Sequence, residues 1–252
     1  MKKTLILLMS VLLMAVLVVS CENTPTEYTV KFDLNEGTGT APDQKVVSGN
    51  KAEKPADPKK TNAAFKFWSK DGSTEFKFDT PITEDITLKA VWQTEFKVGD
   101  IGPAGGVIFY VNPKAADDGW TYLEAANSNL GKFIWRETAQ IAYGTKTGIG
   151  EGKKNTNLLK EKGIENFPAA EACVKYEGGG YSDWFLPSKD ELSLIGENLA
   201  KKNLISFVSE SYYWSSSEDS QAGYAWTMSL DDVKPYSYTY AFDYYVVPTR
   251  SF

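Results

Sequence analysis

Apolar residues follow three rhythms along this chain, and each predicts a different element. From Leu5 to Val19 they are almost continuous. From Tyr28 to Leu34 they alternate, with Thr29, Lys31 and Asp33 between Tyr28, Val30, Phe32 and Leu34. Strict alternation marks a half-buried strand. Ile86, Leu88, Ala90 and Trp92 repeat the pattern around Thr87 and Lys89 and predict a second strand. Asn35-Glu36-Gly37-Thr38-Gly39 is turn chemistry, and Pro55 and Pro58 argue against a central strand within the lysine-rich stretch 51–60. Further on, Val107 to Val111 form a short continuous run behind Gly102-Pro103-Ala104-Gly105-Gly106, as expected for a strand covered on both faces. Residues 119–125 are another strand candidate.

Helical spacing appears twice in the second half. Pro168 suits a first helical turn, and Ala169, Cys173 and Tyr176 follow on one inward face. Ser188-Lys189-Asp190-Glu191 has the spacing of a capping box, ahead of a stripe made by Leu192, Ile195 and Leu199. Glu191 thereby has a structural task and is not read as catalytic. Cys173 reads as a small buried apolar residue, since no basic neighbour in sequence would activate its thiol.

Composition narrows the chemistry. The 252 residues include no histidine. That removes Ser-His and Cys-His dyads, histidine zinc sites and the side chain best suited to proton transfer near neutral pH. The two cysteines, Cys21 and Cys173, cannot build a thiolate metal site. A formal charge of −6 disfavours nucleic acid, which is bound by lysine and arginine neutralising phosphate. No catalytic residue, metal ligand or cofactor is assigned.

The opening run is bracketed by Lys2-Lys3 and Val18-Val19-Ser20-Cys21, the layout of an export signal, and is shorter than the roughly 20 residues of a spanning helix. A cysteine directly after the cut resembles the lipobox of bacterial lipoproteins. The resemblance implies a signal peptide over 1–20, a diacylglycerol on Cys21, a lipidated tether over 21–27, and a place at the cell envelope, on the outer membrane or cell surface. The membrane is then a partner through the lipid, each buried methylene contributing about 0.8 kcal/mol.

Residues 28–92 resemble the Listeria–Bacteroides repeat, the B-repeat of internalin-type surface proteins. The resemblance rests on Tyr28 to Asn35, Lys54-Pro55-Ala56-Asp57-Pro58, Phe65-Lys66-Phe67-Trp68, Phe78 to Ile82 and Asp85 to Trp92. It implies a small β-grasp-like module used as a stalk, with Trp68 and Trp92 in its core. The sequence departs from the family at Glu36, where a glycine is usual, and at Asn62-Ala63-Ala64.

Residues 98–252 carry four further strings: Gly178-Gly179-Gly180-Tyr181-Ser182-Asp183-Trp184-Phe185-Leu186-Pro187-Ser188, Tyr213-Trp214-Ser215-Ser216-Ser217-Glu218, Tyr224-Ala225-Trp226, and Val246 to Phe252. They resemble a bacterial domain of unknown function typified by the C-terminal domain of Legionella collagen-like protein, related to C-type-lectin-like and formylglycine-generating-enzyme folds. The resemblance implies two helices flanking short antiparallel sheets. Trp184, Trp214 and Trp226, inside the motifs, are expected to hold the fold. The calcium-binding triplet of animal lectins is missing, and so are the paired cysteines of the formylglycine-generating enzymes. The pairs Asp117-Asp118, Glu218-Asp219 and Asp231-Asp232 read as solvated turns. Residues 144–154 mimic a phosphate loop but lack two of its required residues, and read as a flexible surface loop.

The expected fold class is therefore α+β: a β-grasp-like module followed by a C-type-lectin-like domain. The expected function is non-enzymatic binding or adhesion at the cell surface, with glycan, matrix or envelope protein as the ligand. A structural envelope protein without a dedicated ligand is the alternative, and an enzyme of formylglycine-generating type is the third reading. Tyr236, Tyr238 and Tyr240, alternating with Ser237 and Thr239, are the candidate ligand-binding residues, because tyrosine pairs a large apolar face with a hydroxyl.

Overall fold

The computed structural model describes residues 25–137 and 142–252. The signal segment 1–20 and Cys21 lie outside the described residues. The rest is a mixed α+β arrangement with three sheets; its helices all lie after residue 114.

The first sheet contains β1 (Glu27–Asp33), β2 (Gln44–Val47), β3 (Ala64–Ser69) and β4 (Ile86–Gln93), in the order β2-β1-β4-β3. β1 and β4 run parallel at its centre, and the outer pairs are antiparallel. The alternation works as the sequence suggests. Ile86, Leu88 and Ala90 point into a core with Val30, Val46, Trp68 and Ile82, while Thr87 and Lys89 face solvent. The proline-bearing stretch 51–60 makes only isolated bridges. Trp92 is half-buried, and its Nε1 donates to the Asn35 carbonyl at 3.0 Å. Its ring closes over Gly37 so tightly that a Cβ there would stand 2.4 Å from it. The neighbouring Glu36 has φ +65°, left-handed backbone that costs a non-glycine residue roughly 1–2 kcal/mol. This is the position where the repeat usually has glycine. An ion pair from Glu36 to Lys60 at 2.9 Å offsets little of that, because Glu36 is exposed.

In the second half, β5 (Val107–Val111), β6 (Tyr122–Ala125) and β12 (Thr249–Ser251) form a three-stranded antiparallel sheet ordered β12-β6-β5. A five-stranded sheet combines β7 (Lys132–Phe133), β8 (Tyr212–Glu218), β9 (Tyr224–Ser229), β10 (Lys234–Thr239) and β11 (Tyr244–Tyr245), ordered β10-β9-β8-β11-β7. Its β8 and β11 are parallel. Four helices accompany the sheets: α1 (Ala115–Asp118), α2 (Gly152–Glu161), α3 (Pro168–Val174) and α4 (Lys189–Asn198). The expectation of two helices is corrected to four. α2 escapes notice because its sequence, Gly-Lys-Lys-Asn-Thr-Asn-Leu-Leu-Lys-Glu, offers one fully buried apolar side chain, Leu159.

Helix α4 starts where the capping box places it. Ser188 Oγ accepts from the Glu191 amide at 3.3 Å, and the Ser188 amide donates to Glu191 Oε2 at 2.7 Å. Leu192, Ile195 and Leu199 then pack against Phe109, Leu123, Tyr213 and Met228 on one side of the large sheet. On the other side Trp214 and Ala225 join Trp135, Leu159, Phe167, Cys173 and Val246. Cys173 is fully buried, and burial pushes its thiol pKa far up. Among the described residues no helix is long and apolar enough to cross a membrane.

Candidate functional site

The large sheet shows its aromatic side chains on two faces with different fates. Residues opposite one another on neighbouring strands share a face. Tyr212 stands opposite Ser229, Trp214 opposite Thr227, and beyond them Tyr236 stands opposite Thr227 and Tyr238 opposite Ala225. Strand β9, between β8 and β10, thus places only Ala225, Thr227 and Ser229 between two rows of large rings. These small side chains let Tyr212 lean across β9, a distance of about 10 Å at two strand spacings, and meet Tyr236 and Tyr238 at centroid distances of 5.1 and 5.0 Å. Tyr244 of β11 closes the group at 5.3 Å from Tyr212 and 5.1 Å from Tyr238. Phe242, 50% exposed, stacks on Tyr244 at 5.7 Å.

Four tyrosines and one phenylalanine thereby form a continuous, half-buried platform. Edge-to-face contacts inside it fix the rings, each such pair contributing about 0.5–1.5 kcal/mol beyond area burial. A hydrogen bond with Tyr212, and then partial burial, push the Tyr238 hydroxyl up to about 12, and burial raises Tyr244 as well. These two hydroxyls stay protonated and neutral at physiological pH. Lys234, at alternate spacing before Tyr236 on β10, is paired with Asp232 at 3.2 Å.

Of the three tyrosines singled out from sequence, Tyr236 and Tyr238 belong to this platform. Tyr240 does not. Next along that face, Tyr240 is 4% exposed and stacked on Trp135 at 4.6 Å. Its hydroxyl donates to Glu218 Oε1 at 3.2 Å. Tyr240 still continues the ladder, its amide donating to the Gly223 carbonyl at 3.1 Å, and keeps the face of Tyr238; it is buried because Trp135 and Phe167 cover that end of the sheet. Tyr212 and Tyr244 were missed as members. The signals for them are the tyrosine-rich segment after Tyr240 and the tyrosine immediately before the Tyr213-Trp214 motif.

Glu218 is a second correction. It is buried, not part of a solvated turn: Oε2 accepts from the amides of Tyr143, Gly144 and Thr145 at 2.9, 3.1 and 3.4 Å. The supposedly flexible loop 144–154 is accordingly held. Asn155 accepts from the Lys146 amide at 2.8 Å and returns its Nδ2 to the Lys146 carbonyl at 2.7 Å. Asp118 bonds Asn112, and Asp231 accepts the Glu210 amide. Among the described residues no three of His, Cys, Asp and Glu converge as a metal site would need. Trp184 and Trp214 are buried, with indole N–H groups donating to the Gly178 and Phe133 carbonyls, whereas Trp226 is half-buried under Lys189.

A separate cleft of about 330 Å³ lies between Trp120, Lys153, Lys154, Asn157 and Phe252, with Glu191 at its base. Both Glu191 oxygens are already occupied, Oε1 by the Gly150 amide at 2.8 Å and Oε2 by that of Ser188. From this position Glu191 ties the loop at Gly150 to the cap of α4.

Residues 28–91 match the Listeria-Bacteroides repeat domain, a module typical of bacterial surface proteins. No curated protein matches the chain.

Proposed function

We propose that this chain is a non-enzymatic binding protein of the bacterial cell surface, anchored by lipid at Cys21, and that its tyrosine platform takes an uncharged glycan. The reading carries with it a C-type-lectin-like fold for residues 98–252 and a stalk role for the repeat. The observation that carries the ligand reading is the platform of Tyr212, Tyr236, Tyr238, Tyr244 and Phe242. Its shape and chemistry favour sugar. A pyranose ring offers C–H groups on its faces and hydroxyls round its edge, the complement of a phenol. Its rings meet mostly edge to face, at 59–76°, with Tyr236–Tyr238 and Phe242–Tyr244 closer to parallel at 28° and 16°, so a polymer lying across it would meet both ring faces and phenol edges. Its neutrality gives no grip on sulfated or uronic polymers, or on acidic lipid.

Two independent features support a role without turnover. Histidine is absent from the sequence, and Cys173 is a buried thiol with a raised pKa.

Binding to insoluble neutral polysaccharides, compared with charged ones, tests the proposal. Retention on neutral polymer is expected to change little between low and high salt, because no counterions are released. Retention only on charged polymer, or binding abolished by salt, contradicts it. Absence of any binding favours the structural-protein alternative.

A further inference from the structure

Two of the four strings that make the second module distinctive meet at one buried guanidinium. Arg250 is 2% exposed. Its Nε and Nη2 donate to the two oxygens of Asp183 at 2.9 and 3.1 Å, and its Nη1 donates to Glu124 Oε2 at 3.2 Å. Glu124 Oε1 accepts in turn from the Gly106 and Ala104 amides at 2.8 and 3.1 Å. The ring of Tyr181 lies over the guanidinium with its centroid 3.9 Å away. The turn 102–106, the glycine-rich loop 178–184 and strand β12 are thus joined through one side chain.

The contact does not stop at the module's edge. The Tyr181 hydroxyl reaches into the repeat and donates to the Lys60 carbonyl at 3.2 Å. Gly180 beside it has φ +81°, backbone that favours glycine, and lies against the tip of the Lys59 side chain of the repeat. A second attachment lies on the connecting segment. Phe96, 7% exposed, packs edge-on against Tyr122 at 5.3 Å and Phe252 at 5.8 Å. Its amide donates to the Tyr122 hydroxyl at 3.3 Å, and Gln93 Nε2 donates to Asp100 Oδ2 at 3.1 Å.

We propose that the repeat and the C-terminal module form one rigid body, locked at Tyr181–Lys60 and at Phe96, with the glycine-rich loop serving as the docking surface for the repeat. A single tether leaves two modules free to swivel, and relative motion is the default where an interface is small. Two separated attachments remove the swivel, and the first is stiff because Tyr181 is backed by a buried ion cluster. The repeat then fixes the direction in which the tyrosine platform is presented. The lock does not depend on what the platform binds.

The test uses a chain from Glu22 onward, which keeps every described residue, spin-labelled at Lys45→Cys in the repeat and Ser220→Cys in the second module. Both positions are exposed, and buried Cys173 stays unlabelled. The unaltered junction is expected to give one narrow distance distribution. Tyr181→Ser combined with Phe96→Ala is expected to broaden it toward about 15 Å, the spread that a free linker over 93–99 allows at about 5–6 Å × √n. A broad distribution with the junction intact overturns the proposal, as does a narrow one in the double variant. Should that variant fail to fold, hydrogen exchange of the Phe96 amide in the unaltered chain decides. Protection supports the lock, and exchange at the rate of an unstructured peptide refutes it.

Discussion

Arg250→Met is expected to lower the unfolding free energy by about 3–5 kcal/mol, the usual cost of removing one partner from a buried ion cluster. Methionine fills much of the volume but leaves Glu124, whose side chain is fully buried, and half-exposed Asp183 without their cation. The loss should also depend on pH. Burial already raises the Glu124 pKa above its ordinary value, with Arg250 opposing that rise. Deleting Arg250 lets it climb further. A group with a raised folded-state pKa gives stability that is full below the unfolded value and is lost as pH rises through the folded one. The variant should therefore be hurt less near about pH 5, where Glu124 can take up a proton, than near about pH 8. Urea unfolding at both values checks this. An equal loss at both would show that Glu124 does not carry the penalty.

Glu191 is expected to make the protein more stable in mild acid than at neutral pH. Burial pushes its pKa up to about 7, against the pull of the Ser188, Gly150 and Gly152 amides. Between its ordinary value and about 7 the folded state holds a proton that the unfolded chain releases. Stability from this group is thus complete below the unfolded pKa and declines as pH rises toward about 7, by about 3 kcal/mol in all. Glu191→Gln should flatten that slope. It should also cost about 1–3 kcal/mol in acid, because its amide group cannot accept one of the backbone N–H groups that the carboxyl now satisfies. Lys153, Lys154 and Asp118 line the same cleft, so the slope is read as the difference between the two proteins across the pH range. A slope unchanged by the substitution would assign it elsewhere.

β1 and β4 were legible because their apolar residues alternate, whereas β3 breaks the rhythm with a bulge between Phe65 and Phe67 that leaves Trp68 and Ser69 both buried. The start of α4 was legible for a local reason: a capping box is complete within four residues. What sequence could not supply was long-range satisfaction of polar groups. Glu218 looked like half of an acidic turn, yet its partners lie at 143–145, and nothing near Arg250 in sequence points to its cluster with 124 and 183. Polar α2 hid as a loop because its anchors, Asn155 to Lys146 and Ser216, are hydrogen bonds and leave no apolar stripe. The platform was half legible. β10 announced Tyr236 and Tyr238, but Tyr212 joins them across the sheet only because β9 is lined with small residues, a fact of pairing register.

The central claim is that binding runs through the tyrosine platform, and one comparison tests it most directly. Affinity of the intact chain for a neutral polysaccharide is measured beside that of Tyr236→Ala/Tyr238→Ala, with thermal unfolding as the control. Both rings are half-exposed, so the fold should survive their loss while affinity falls at least about 10-fold, or about 1.4 kcal/mol. Undiminished binding by a folded double variant would contradict the account.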